Sequence, residues 1–275
     1  MKDLRGLRLF MTGGTRGIGR ATALALARAG VHITLAAKSA TPQPHQEGTL
    51  ASVCAEIEAL GGQALGLRTD VRDAESLQQA VAQSAQHFGG IDLVIHNAGA
   101  IHLGGVEDTS LRQFDLMQSV NSRGLFVLAQ ACLPWLRLSS HPHLLSLSPP
   151  LNLAPHWLGR FAPYTLSKYG MTLLTLGLAE EWRPWGIACN TLWPRTIIAT
   201  AAIERFGGEA IFARSRTAQI MADATLSLLQ SDQPTSGHCW LDEDLLRASG
   251  HTDMSAYAWS SATDAPLQLD FYVDD

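Results

Sequence analysis

Short apolar runs alternate with longer amphipathic segments along the first hundred residues. Residues 7–12, 31–37, 64–70 and 91–95 are runs of strand length bounded by glycine or polar residues. Between them residues 20–29, 49–60 and 74–88 carry apolar positions at helical spacing, and Gly30 and Gly61-Gly62 stop the first two helices. Residues 39–48, with Pro42, Pro44 and Gly48, read as a loop. Further on, 111–138 is a long helix interrupted near Asn121, 144–147 a fifth strand, 164–182 a buried helix, 187–192 a sixth strand and 237–241 a seventh. Strands that alternate with helices specify an α/β fold, a Rossmann-type doubly wound parallel sheet of about seven strands with right-handed crossovers and helices on both faces. We expect one domain over 1–275, with a glycine-rich half to about residue 143 and a second half from 144 that carries the chemistry.

Ligands of such a sheet bind outside the carboxyl ends of the strands, and the unusual residues fall there. After the first strand comes Gly13-Gly14-Thr15-Arg16-Gly17-Ile18-Gly19, spaced G-x-x-x-G-x-G, where free backbone N–H groups and a helix N-terminus can hold a pyrophosphate. The same glycines could equally do no more than turn the chain. Lys38 ends the second strand, with no acidic residue from Gly30 to Gln46. A cation at this position, with Arg16 as a second, accommodates a ribose 2′-phosphate, whereas an acid would bind a 2′-hydroxyl. The alternative is that both are ordinary surface charges. Asp70-Val71 could flank an adenine, or Asp70 could be a turn residue, and Asn97-Ala98-Gly99-Ala100 leaves the fourth strand. Asn121 is either a helix cap or kink, or a buried amide that both donates and accepts.

Tyr164 and Lys168 stand four apart on the buried helix, so one lies above the other. A neighbouring ammonium favours the phenolate and would pull the Tyr164 phenol toward the range of an acid/base catalyst. A chance pair, with the lysine reaching water and the tyrosine filling space, is the competing reading.

Composition narrows the classes. Apolar residues are 46% and charged residues 16%, which indicates much buried surface. A net charge of -5 gives no basic footprint for nucleic acid. Cys54, Cys132, Cys189 and Cys239 are scattered and read as reduced core thiols, while His141-Pro142-His143 reads as an exposed loop rather than a metal site, so no metal is expected. No apolar run reaches membrane-span length, no signal peptide or peroxisomal tripeptide is read, and the default compartment is the cytoplasm.

Taken together, these motifs resemble the short-chain dehydrogenase/reductase family over essentially the whole chain. The resemblance implies that Thr12-Gly13-x-x-x-Gly17-Ile18-Gly19 is a cofactor turn and Asp70 an adenine-side acid. It also implies that Asn97-Ala98-Gly99 packs behind the cofactor and that Pro194, Thr196 and Ile198 lie in a nicotinamide-side loop. Asn121 matches a proton-relay asparagine that positions a water, and Tyr164-x-x-x-Lys168 a catalytic pair. Within the family, Ser148-Pro-Pro-Leu-Asn-Leu, Ala162-Pro-Tyr-Thr-Leu-Ser-Lys-Tyr-Gly-Met and Leu192-Trp-Pro-Arg-Thr are most similar to the reductase domain of the hydroxysteroid dehydrogenase-like 2 group. That group commonly adds a sterol-carrier-like domain, which this sequence does not reach.

Two departures stand out. Pro149 fills the place of the carbonyl-polarising serine, with Ser148 just before it, and Arg195 replaces a glycine. Ser148 either reaches the substrate or the site works without a serine hydroxyl, at a cost of roughly a hundredfold in rate. Arg195 either meets an anionic group or is an exposed cation.

The expectation is an NADP(H)-dependent enzyme, NADP(H) favoured over NAD(H), that interconverts a carbonyl and an alcohol on a small apolar substrate. Catalysis falls to Tyr164, Lys168, Asn121 and Ser148. Residues 199–216, with Ile203, Phe206, Ile211 and Phe212, form either a substrate lid or an oligomer contact, and a homodimer or homotetramer is expected by family analogy. The alternative function is a nucleotide-binding sensor or scaffold that has lost turnover.

Overall fold

The computed structural model of the chain describes residues 1–39, 48–232, 235–260 and 266–274, with the side chains of 202, 205–207 and 209 also outside the described set. The prolines of the 39–48 loop and the Phe206 side chain therefore fall outside the described residues.

Seven strands form one parallel sheet: β1 (Arg8–Thr12), β2 (His32–Ala37), β3 (Ala64–Arg68), β4 (Leu93–His96), β5 (His143–Ser146), β6 (Ala188–Trp193) and β7 (Cys239–Leu241). Their order is β3-β2-β1-β4-β5-β6-β7, so the winding reverses between β1 and β4. Thr12 pairs with Ala36 on one side and His96 on the other, and His96 with Ser146, which sets the carboxyl ends level. The crevice at such a reversal is where an open α/β sheet binds its ligand.

Alternate residues of each strand face opposite sides, and both sides are apolar. Leu9, Met11, Ile33, Leu35, Leu93 and Ile95 pack under the helices α1 (Gly17–Arg28), α2 (Leu50–Ala59) and α9 (Gln219–Leu229). Phe10, Ala36, Val94 and Leu144 face α3 (Ala74–Phe88), α5 (Ser122–Leu136) and α7 (Ala162–Glu181). The α3 bounds coincide with the sequence reading because Asp73 caps the first turn, accepting from the Ser76 N–H at 3.1 Å, and Gly89 ends the helix in the left-handed region at φ 81°.

The long helix breaks where the sequence suggested. α4 (Leu111–Val120) and α5 are separated by Asn121 alone, at φ -77° and ψ -79°. Three helices were not foreseen: α6 (Pro155–Arg160) in the loop after β5, α9, and α10 (Asp242–Ala248) after β7. The segment expected to be a lid or an oligomer contact contains α8 (Ala201–Phe212), bent at Gly208, where φ is 58° and ψ -159°. The exposed loop expected at His141-Pro142-His143 is corrected at its end: His143 opens β5, is 3% exposed and accepts from Asn190 Nδ2 at 3.0 Å. Among the described residues no helix is long and apolar enough to cross a membrane.

Candidate active site

A cleft of about 700 Å³ opens at the β1/β4 reversal, lined by Gly13, Thr15, Arg16, Gly17, Ile18 and Gly19 from the glycine turn, Lys38 and Ser39 after β2, Thr69 and Val71 after β3, and Asn97, Ala98 and Gly99 after β4. The glycine turn is built around a contact. Asn97 Nδ2 donates to the Gly13 carbonyl at 2.6 Å, and a Cβ on Gly19 would stand 2.3 Å from that carbonyl oxygen and 2.5 Å from Asn97 Nδ2. Gly13 itself is at φ 75°, with its missing Cβ 2.9 Å from the Ala98 backbone. The first turn of α1 has no side-chain cap, since Arg16 at the N-cap makes no capping bond, so its N–H groups face the cleft as an anion site. These residues fit a dinucleotide: a long cleft, an uncapped helix N-terminus at its middle and cations at one end.

Lys38 and Asp70 sit together at that end. The Lys38 ammonium is 3.0 Å from the Asp70 carboxylate, and Arg72 forks onto the same group at 2.6 Å. Burial pushes Asp70 up, but the Arg72 side chain and N–H and the Lys38 ammonium outweigh it and hold the acid well below the usual carboxylate range. Asp70 is not among the residues that line the cleft; it pairs with Lys38, which is.

At the other end lies α7. Tyr164 is 4% exposed and Lys168 6%. Lys168 Nζ donates to the Leu147 carbonyl at 2.7 Å, stands 5.1 Å from the centre of the Trp193 ring, and would be 3.8 Å from a Cβ on Gly99 in the cleft floor. The expected lowering of the Tyr164 phenol by Lys168 is corrected: burial first, then Tyr272 and Asp270, push it well above its ordinary value. Burial also brings Lys168 down to about 8, with Asp270 working in the opposite sense. Asn121 is a structural brace as well as a break in the helix. Its amide donates to the Ala100 carbonyl at 3.0 Å and Ser167 Oγ at 2.9 Å, and its oxygen accepts the Ala100 N–H at 2.8 Å, tying the β4 exit to α7 beside Lys168.

Ser148 does not present its hydroxyl to the cleft. It is fully buried, bonded at 3.0 Å to Ser146 Oγ, which in turn bonds Thr175 Oγ1 at 2.8 Å on α7. Thr175 is two helical turns past Lys168, so this hydroxyl chain runs into the core. Arg195 is paired with Asp244 at 2.7 Å and is not among the residues of that cleft; it lines a separate pocket with Pro150, Asn152 and Tyr272. Pro194, Thr196 and Ile198 lie beyond the cleft. Ile198 belongs to the core under α9, whereas Thr196 Oγ1 is buried with no hydrogen-bond partner in the loop after β6.

Two parts of the site escaped the sequence reading. His96 is fully buried at the end of β4. Its Nε2 is 3.2 Å from the Val120 carbonyl, which can only accept, so Nδ1 must accept from Thr12 Oγ1 at 3.0 Å, and Thr12 Oγ1 accepts the Ala98 N–H at 3.2 Å. This neutral imidazole welds the glycine turn, the β4 exit and the end of α4. A strand-end histidine in an apolar run was the available signal.

The second is the C-terminal segment. Leu269 bridges Thr196 antiparallel, the Asp270 N–H donates to the Arg195 carbonyl at 3.0 Å, and the Phe271 carbonyl accepts from Trp193 Nε1 at 3.0 Å. Tyr272 enters an aromatic cluster with Trp157, Tyr164, Tyr169 and Trp193. Residues 199–216 are likewise anchored: Ile198, just before them, bridges Arg216, and Phe212 packs on Trp259 with ring centres 5.4 Å apart.

A parallel sheet with this order, a dinucleotide cleft at its reversal and a Tyr-x-x-x-Lys pair on the helix beside it define a class of NAD(P)-linked oxidoreductases acting on CH–OH and C=O groups. The chain belongs to the short-chain dehydrogenase/reductase family: the family's profile, described as short chain dehydrogenase, matches residues 8–207. It is similar to hydroxysteroid dehydrogenase-like protein 2 of Danio rerio, 43% identical over 271 residues, which are 98% of this chain and 65% of that protein. This chain thus spans just under two thirds of the length of the relative. A short chain dehydrogenase from Mycobacterium thermoresistibile superposes with a TM-score of 0.93 at 46% identity, covering 98% of this chain and 96% of that one. A short chain dehydrogenase from Burkholderia cenocepacia, solved in complex with NADP, superposes at 0.75 with 27% identity, over 87% of this chain and 97% of the other.

Proposed function

We propose that the chain is an NADP(H)-dependent oxidoreductase that interconverts a carbonyl and an alcohol on a small apolar substrate. The observation that carries the reading is the placement of Lys168 Nζ under Gly99 in the cleft floor, one helical turn from Tyr164. Gly13 to Gly19, Asn97, Ala98 and Gly99 would hold the dinucleotide, with Thr196 Oγ1 offering a hydrogen bond at its nicotinamide end. Lys38, with Arg16 nearby, would take the ribose 2′-phosphate, and the NADP-bound relative of the same fold supports that preference. When bound, the dinucleotide supplies hydride to the carbonyl carbon or accepts it from the alcohol.

The chain's own part is the proton. In reduction Tyr164 gives its hydroxyl proton to the carbonyl oxygen, and in oxidation the phenolate takes it back. Lys168, as the cation nearest the site, favours the phenolate that forms. Asn121 holds the Ala100 turn to α7 so that Lys168 keeps its place beside Gly99. Ser148 cannot polarise the carbonyl from its bond to Ser146, and Pro149 has no donor, so the enzyme works with one hydrogen bond fewer and a handicap of roughly a hundredfold. Ile101, Leu116 and Met117 at the cleft mouth, with the aromatic cluster behind Tyr164, favour an apolar substrate.

The test is a titration with NADPH and NADH followed by a screen of medium-chain, terpenoid and steroidal ketones and aldehydes. Tighter binding of NADPH and its substrate-dependent oxidation are expected. Tyr164→Phe should bind NADPH nearly as well and lose turnover. Wild-type rates in that variant would refute the assigned role, and failure to bind either nucleotide would refute the whole reading.

A further inference from the structure

Two residues that line the cleft, Thr200 and Ala201, come from the segment expected to be a lid or an oligomer contact. Thr200 stands close over the glycine turn: a Cβ on Gly17, which is at φ 51°, would meet Thr200 Cγ2 at 3.2 Å. The Thr200 carbonyl accepts from the N–H groups of Ile203 and Glu204 at 2.9 and 3.0 Å, so α8 starts from it. Whatever fixes the two ends of this segment therefore fixes one wall of the cleft.

The ends meet in a neck. The Arg216 N–H donates to the Ile197 carbonyl at 2.9 Å and the Ala199 N–H to the Arg216 carbonyl at 2.8 Å, which brings the outgoing chain beside the incoming one. On its other side Arg216 bridges Ala258, and the Thr217 N–H donates to the Tyr257 carbonyl at 2.7 Å. These backbone bonds join the neck to two loops, whereas the Arg216 side chain joins it to a helix. Its Nη2 lies 2.8 Å from Glu243 Oε1 in the first turn of α10, its Nη1 donates to the Met254 carbonyl at 3.2 Å, and the Arg216 and Glu243 side chains are each 8% exposed. Asp242, just before Glu243, accepts the Arg195 N–H at 2.9 Å. The start of α10 thus holds the chain on its way into the segment and on its way out.

An ion pair buried this deeply is a poor device for stability. Desolvation of the two charges offsets their attraction, and apolar side chains of similar size in their place are commonly neutral or stabilising. What the pair supplies is direction, because a guanidinium is a planar fork whose donors fix distance and angle together. Here the two arms pin Arg216 against α10 and against residue 254. Glu243 is itself steadied, with Arg247 Nη2 3.5 Å from its other oxygen.

We propose that Arg216 and Glu243 form a latch, a pair of positioning residues that hold Thr200 and Ala201 against the glycine turn and so set how long a bound dinucleotide stays in the cleft. The inference rests on the reading of the cleft as a dinucleotide site. With the latch closed the segment covers the turn in one place, and the nucleotide leaves when the neck opens. Without it the neck opens more often, and the wall it carries leaves the turn.

The double variant Arg216→Met, Glu243→Leu separates positioning from a merely structural role, since an apolar pair serves stability as well as the ion pair does. Its urea midpoint is expected to equal or exceed that of the wild type. Chased with excess NADP+ and followed by nicotinamide fluorescence, its NADPH complex should dissociate roughly tenfold faster, as for the loss of one charge-assisted contact. Release at the wild-type rate, or faster release that comes with an equal loss of stability, overturns the proposal. Glu243→Gln keeps the shape and removes the charge. It should release NADPH severalfold faster, and an unchanged rate overturns the proposal even if the double variant does not fold. Amide hydrogen exchange on the protein without nucleotide reads the neck directly. In Glu243→Gln the Ala199 and Arg216 amides should lose protection by roughly tenfold, while the Asp92 amide, bonded to the Arg8 carbonyl at the amino end of β1, keeps its own. Equal protection at all three overturns the proposal. A chain that binds no NADPH would fail the enzymatic reading, and the exchange measurement would still decide whether the latch holds the neck.

Discussion

His96 shows how a single buried residue sets the pH range of the molecule. Burial, then the Lys168 charge, brings its imidazole down to about 4, although the Val120 and Asn121 backbone pulls the other way. His143 on β5 is brought to about 3 by burial and by His141 and Lys2. Both are neutral in the fold, whereas in the unfolded chain they ionise near 6.5. Below that value the unfolded chain takes up protons that the folded one refuses. The stability present above pH 6.5 is therefore lost as the pH falls toward 4 for His96 and toward 3 for His143, with a ceiling on the order of 3 kcal/mol for His96. Urea melts at pH 7.5 and pH 5 should show the loss. His96→Gln should be less stable at pH 7.5 and lose less between the two; an equal loss would mean that His96 is not the group that titrates.

At the scale of elements, the proposed cofactor preference turns on the ends of β2 and β3. Lys38 is half exposed and already paired with Asp70, so a 2′-phosphate would share an existing cation rather than recruit a new one. Replacing Lys38 by Asp removes that cation and places a second carboxylate against Asp70. A charge-assisted hydrogen bond of about 1.5–3 kcal/mol would be lost, which corresponds to roughly ten- to a hundredfold weaker NADPH binding with NADH little changed. A titration with both nucleotides checks it, and an unaltered NADPH/NADH ratio would remove Lys38 from the site.

These ends could be read from the sequence because buried parallel strands are short apolar runs and the turns after them carry Gly, Asn, Lys and Asp. α9 was missed although Gln219, Asp223 and Ser227, four apart, give it a polar stripe opposite the fully buried Ile220, Met221 and Ala224. The place of the C-terminal segment could not be read either, because its partners Arg195, Trp193 and Thr165 lie far off in sequence. The position of Pro149 was legible, but only the fold shows Ser148 bonded into the core, because one residue's shift along a strand turns the side chain to the other face.

Across the whole molecule, the helix that carries Tyr164 and Lys168 also carries an uncovered apolar surface. Tyr164 and Lys168 point inward on α7, while Leu166 and Leu173 are each 58% exposed. Seven residues separate these leucines, so they share one face of the helix, and Phe126 on the adjoining α5 is 53% exposed. Leu111 on α4 is 81% exposed as well. Contiguous exposure of this kind marks an interaction surface, and a second copy of the chain is the partner that family analogy favours. The wild type is then expected to run as a dimer or tetramer in light scattering at micromolar concentration. A Leu173→Asp, Phe126→Asp double variant should run as a smaller species, since it would place charges in an apolar contact. Because α7 holds Tyr164 and Lys168 on its other side, separation should also lower the melting temperature and loosen the catalytic helix. A wild type that is monomeric throughout the concentration range would leave this face without the partner assigned to it, and a double variant with the wild-type mass would place the contact elsewhere.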